Sequence, residues 1–64
     1  MFDVVGTKKV EEGIVVMWND SGAVKYETYN FQDLIDMNVN SLNLIDRPTA
    51  YQVDPKTHKI GRKT

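Results

Sequence analysis

A chain of 64 residues makes a single domain, and one this short buries only about 60% of the surface its unfolded form exposes, so its stability is marginal. With no cysteine, and His58 as the lone histidine, disulfide staples and thiolate metal sites are excluded. The net charge of −1 divides unevenly: three lysines face eight carboxylates over residues 1–46, whereas Arg47, Lys56, Lys59, Arg62 and Lys63 face only Asp54 beyond them, an acidic body with a basic end.

Phe2, Val4 and Val5 read as a short strand ended by Gly6, followed by a polar connection through Thr7-Lys8-Lys9 and Glu11-Glu12-Gly13. The clearest local signal comes next. Ile14-Val15-Val16-Met17-Trp18, a turn at Asn19-Asp20-Ser21-Gly22, and Val24-Lys25-Tyr26-Glu27-Thr28-Tyr29 predict a β-hairpin, with Asp20 and Gly22 supplying the turn chemistry and Gly22 free to take the positive φ of a tight turn. The first arm is apolar on both faces, with Ile14, Val16 and Trp18 on one and Val15 and Met17 on the other. Such a strand is central, or is covered on one face by a partner. The second arm alternates Val24 and Tyr26 against Lys25 and Glu27, the pattern of a strand wet on one side.

After Tyr29 the period changes. Asn30 is a good helix N-cap, with Asp33 three residues on, where a carboxylate meets free N–H groups. This predicts a short helix over residues 30–38 that packs Phe31, Leu34 and Ile35 on the sheet. Leu42, Leu44 and Ile45 read as a further strand stopped by Arg47-Pro48. A second hairpin then runs from Tyr51 and Val53, through Asp54-Pro55-Lys56-Thr57, to His58, Lys59 and Ile60, and residues 61–64 read as a frayed basic tail. The fold class expected is a small β-rich α+β domain over residues 1–64. It combines an antiparallel sheet of about five strands with one short helix, either open or closed as an SH3-like barrel.

Catalytic apparatus is not visible. Glu11-Glu12 and Asp33/Asp36 are the close carboxylate pairs, and both read as solvated surface, because perturbed acids need burial that this chain hardly provides. His58 lacks the companion ligands of a metal site and reads as a hairpin residue. No serine or threonine has a base at a suitable position, and no phosphate cradle appears. A non-enzymatic chain without metal or cofactor is expected.

Trp18, Tyr26, Tyr29 and Phe31 lie close in sequence. Tryptophan and tyrosine dominate binding hot spots, yet in a small domain they also build the core, and both readings stand. Together with Glu27 they are the candidate protein-binding residues. Lys56, Lys59, Arg62 and Lys63 are the alternative, a basic hairpin that contacts nucleic-acid phosphates, weighed against a solubilising tail. The absence of cysteine, of an N-terminal signal pattern and of a membrane-length apolar run leads us to expect a cytoplasmic chain without a membrane partner. Monomer and homodimer are equally open, self-association being the remaining staple for so small a core.

The run Gly13 to Gly22, followed by Tyr26 and Phe31-Gln32-Asp33-Leu34, resembles the strand-turn-strand of SH3- and Tudor-like barrels. That resemblance implies a peptide- or nucleic-acid-binding groove using Trp18, Tyr26 and Tyr29. The order of strand, Asp-Ser-Gly turn, Lys25-Tyr26-Glu27-Thr28-Tyr29, and Phe31-Gln32-Asp33-Leu34 is also similar to small dimeric phage inhibitors of uracil-DNA glycosylase. Those proteins resemble DNA to their target and enclose an apolar loop of it in a hydrophobic pocket at the dimer interface. This second resemblance implies a DNA mimic made by a phage or mobile element and acting in the host cytoplasm. Glu27, Tyr26, Tyr29 and Phe31 are the positions carried over, while the basic residues Lys56 to Lys63 depart from such a surface. The expected function is a protein-binding inhibitor of a host protein such as a DNA-repair enzyme. The alternatives are a nucleic-acid-binding barrel and a structural or assembly subunit.

Overall fold

The computed structural model describes residues 1–63. Strands β1 (Phe2–Lys9), β2 (Gly13–Asp20) and β3 (Ala23–Asn30) are followed by helices α1 (Phe31–Asp36) and α2 (Ser41–Asp46), a 3-10 turn (Pro48–Ala50), and strands β4 (Tyr51–Val53) and β5 (Ile60–Arg62). The strands form one antiparallel sheet in the order β3-β2-β1-β4-β5. The fold class is thus the expected β-rich α+β. The sheet stays open, so no SH3-like barrel forms.

The β2–β3 hairpin sets the frame. Asp20 pairs with Ala23, leaving Ser21 and Gly22 as a two-residue loop, both with positive φ (53° and 89°). That geometry matches the right-handed twist of the flanking strands. Asn19 Oδ1 accepts the Gly22 N–H at 3.0 Å, so Asn19, rather than Asp20, supplies the polar turn contact. From this turn the register follows: Tyr29 faces Ile14, Glu27 faces Val16, and Lys25 faces Trp18. Ile14, Val16, Trp18 and Tyr29 are buried, whereas Val24 and Tyr26 are exposed. The face of β3 that carries Val24 and Tyr26 is therefore wet. On the opposite face, which shares a side with Ile14, Val16 and Trp18, Tyr29 joins the core while Lys25 and Glu27 stay partly exposed.

β1 continues through Gly6 to Lys9 instead of ending at it. The strand accommodates an extra residue at Val5, where the register steps from Val4–Trp18 to Gly6–Met17, as a β-bulge does. Thr7-Lys8-Lys9 is accordingly strand and not connection.

α1 begins with the capping box foreseen at Asn30: its Oδ1 accepts from the Asp33 N–H at 2.7 Å, and Asp33 Oδ2 accepts from the Asn30 N–H at 3.2 Å. Only Leu34 of this helix is buried; Phe31 and Ile35 are exposed, because a helix this short seats a single residue deeply on the sheet. The segment read as a strand at Leu42–Ile45 is helical. Asn40 caps α2 by accepting the Asn43 N–H at 3.0 Å, and Leu44 is fully buried while Leu42 is 76% exposed. An Asn N-cap ahead of a leucine-bearing turn outweighed the local strand propensity.

Leu34 and Leu44 close one face of the sheet, completing a core of Val4, Ile14, Val16, Trp18, Tyr29, Tyr51, Val53 and Ile60. Gly61 to Lys63 are ordered rather than frayed: Gly61 and Arg62 pair with β4, and the Lys63 N–H donates to the Ala50 carbonyl at 2.8 Å. Thr64, at the end of the expected frayed tail, lies outside the described residues.

Four substitutions test this packing. Leu44→Ala should cost about 2–5 kcal/mol, against less than about 0.5 for Leu42→Ala; a strand at this segment would make the two comparable. Gly13→Ala places a Cβ on the Tyr29 carbonyl and the Asn30 Cα, and denaturant titration should show a loss of about 1–3 kcal/mol or more. Gly61→Ala, with open space around it, should be tolerated.

Candidate functional site

The architecture separates the aromatic candidates. Trp18 and Tyr29 are buried on the core face, Phe31 is exposed at the start of α1, and Tyr26 projects from the other face of the sheet. Trp18 stacks on Phe2 with ring centroids 6.4 Å apart and meets His58 edge-on at 5.6 Å. Its indole N–H is buried without a partner among the described residues, so the ring contributes packing at some desolvation cost. Trp18, Tyr26, Tyr29 and Phe31 thus do not make a single surface.

Two surfaces do emerge. The first is the open face of the sheet. Tyr26 is paired with Met17, and Met17 with Gly6 beside the Val5 bulge, so Tyr26, Met17 and Val5 run across three strands. Val15 and Val24 flank them on the same face. Tyr26 is 73%, Val24 65% and Val5 50% exposed, and no helix among the described residues covers them. The two-faced apolar pattern of β2 signalled this surface. The outward turn of Val5 comes from the bulge, which has no sequence mark.

The second is a shallow cleft of about 320 Å3 between β3, α1 and the β4–β5 loop, lined in part by Glu27, Asp33, Asp36 and His58. The loop is shaped by Asp54, whose carboxylate accepts the N–H groups of Lys56 at 2.8 Å and Thr57 at 3.1 Å. These bonds hold its carboxyl below the ordinary range. His58, at φ 57°, is no longer part of a regular strand. Its Nδ1 lies 2.9 Å from Glu27 Oε1, and the ring donates, because a carboxylate only accepts. The Tyr29 hydroxyl donates to the His58 carbonyl at 2.6 Å, tying β3 to the loop. Burial first, then the charges of Glu27 and Asp33, push the Tyr29 phenol well above its ordinary value. Glu27 and His58, distant in sequence, meet only through this packing.

The basic candidates disperse. Lys56 and Lys59 sit exposed on the β4–β5 loop, Arg62 ends β5, and Lys63 pairs with Asp3 at 3.1 Å. Among the described residues no group of three His, Asp or Glu side chains could hold a metal, and no helix is long and apolar enough to cross a membrane.

No protein-family model, curated protein or solved structure matches the chain. The site therefore rests on its own geometry, that of a small α+β domain with helices on one face of an open sheet and an apolar surface on the other.

The Tyr29 shift carries a pH dependence. As pH rises past about 10 the unfolded chain loses its phenol proton first, so stability that is complete below that pH declines above it. Denaturation midpoints measured between pH 9 and 11.5 should fall less steeply for Tyr29→Phe than for the parent chain. At pH 7 the same substitution should cost about 1 kcal/mol for the lost bond to the His58 carbonyl.

Proposed function

We propose that this chain is a non-enzymatic protein-binding module that docks a partner protein on the open face of its sheet. One observation carries the reading: Val5, Val15, Met17, Val24 and Tyr26 share a face that the fold leaves uncovered. Single exposed apolar residues are ordinary, but a contiguous set running across strands marks a contact surface. Tyrosine and methionine are enriched in such surfaces, where a rigid ring supplies area at low entropic cost. The buried residues build the core, and the cleft beside it is shallow.

The resemblance to phage inhibitors of uracil-DNA glycosylase nominates the first partner to try, a DNA-repair enzyme of the host.

The test uses Val5→Glu and Met17→Glu, which charge the face far from the cleft. Each should weaken binding of uracil-DNA glycosylase, or of a partner captured from host extract, by roughly tenfold or more, with the circular dichroism of the folded chain retained. Undiminished binding by both variants, with loss instead on Glu27→Gln or Asp33→Asn, would move the site to the cleft and overturn this reading.

A further inference from the structure

β3 is an edge strand of unusual quality. It ends the sheet, runs for eight residues, pairs with β2 in unbroken register and contains no proline. The opposite edge, β5, is only three residues long and carries Gly61 and Arg62. Natural sheets blunt exposed edges with short strands, bulges, proline or charge, since an unpaired row of N–H and C=O groups templates another strand. β5 is blunted in this way; β3 has only Lys25 and Glu27, two residues apart and of opposite sign.

The outward-facing groups of β3 follow from its turn. In a two-residue hairpin the closing pair, here Asp20–Ala23, exchanges hydrogen bonds, and the alternation continues at every second residue. Ala23, Lys25, Glu27 and Tyr29 therefore bond to β2, while Val24, Tyr26 and Thr28 direct their N–H and C=O groups away from it. Asn30 agrees with this phase, since its N–H is taken by Asp33 and not by β2.

A second antiparallel β3 can meet these groups only in registers that set outward residues against outward residues. With the two-fold axis at Lys25, lysine faces lysine; at Glu27, glutamate faces glutamate. With the axis at Tyr26, Lys25 of each copy faces Glu27 of the other, at the non-hydrogen-bonded positions where opposed side chains lie closest. Val24 then bonds to Thr28 of the second copy, and small residues, Ala23 and Gly22, lie opposite Tyr29 and Asn30, where α1 begins. Lys25 is 59% and Glu27 43% exposed along their side chains, and pairing across the edge exchanges their present contacts, Asp20 at 3.7 Å and His58 at 2.9 Å.

We propose that the chain forms a symmetric homodimer by antiparallel pairing of β3 with β3 of a second copy about Tyr26, making one continuous sheet. The pairing sets the two open faces side by side with the Tyr26 rings adjacent at the axis. It rests on the strand edge alone and does not require the docking function proposed above.

The test is a charge exchange read by sedimentation equilibrium and native mass spectrometry. The parent chain should be dimeric. Lys25→Glu sets two glutamates of each copy against two of the other, and Glu27→Lys does the same with lysines, so each variant alone should dissociate roughly tenfold or more readily. Mixed, the two variants should form a heterodimer, because every cross-strand pair is again of opposite sign; two unfolded variants could not do so. Thr28→Pro, which removes an outward N–H and no bond to β2, should also give a folded monomer. A parent chain that stays monomeric at several hundred micromolar, or variants that remain homodimeric and do not prefer one another, would overturn the proposal. Retention of the docking function by a monomeric Thr28→Pro variant would leave the two readings separate.

Discussion

The register of the β2–β3 hairpin is the constraint on which the other features of this domain depend. Two residues with positive φ, Ser21 and Gly22, join the strands, and a period of two then assigns every side chain of β2 and β3 to a face. A slip of one residue would carry Tyr29, Glu27 and Lys25 to the open side and bury Tyr26 and Val24. The core would lose Tyr29 and its hydroxyl bond to the His58 carbonyl, and with it the link between β3 and the loop after β4.

Everything added to the hairpin is short. α1 and α2 each span six residues, well below the length at which a helix holds itself in water. Each is secured by an asparagine N-cap and one buried leucine, and α2 gains the Thr7 hydroxyl donating to the Leu44 carbonyl at 3.3 Å. Both lie on one side of the sheet. The domain thereby satisfies a single face and leaves the other to solvent, a common arrangement for antiparallel sheets when the outer residues are polar. Here the outer stripe is Tyr26, Met17 and Val5, an apolar row across three strands.

The cleft shows how tertiary contact changes the chemistry of ordinary residues. Glu27 and His58 are a strand glutamate and a loop histidine until the β4–β5 loop folds back. Tyr29 is raised in pKa by burial beside Glu27 and Asp33. These effects tune stability and join two parts of the chain.

Local chemistry in the sequence determined the first hairpin, the capping box at Asn30-Asp33, the second hairpin and its Asp54-Pro55 turn, because each depends on residues within a few positions of one another. The two-faced apolar character of Ile14 to Trp18 was equally legible and pointed to a central strand or one covered on one face by a partner. Tertiary structure alone decided the rest. Leu42 to Ile45 has apolar residues compatible with strand or helix, and the choice fell to the Asn40 cap and the space over β1 that Leu44 fills. The bulge that exposes Val5, the ordering of Gly61 to Lys63 against β4 and Ala50, and the burial of Trp18 away from Tyr26 all arise from contacts between distant segments, which no local pattern encodes.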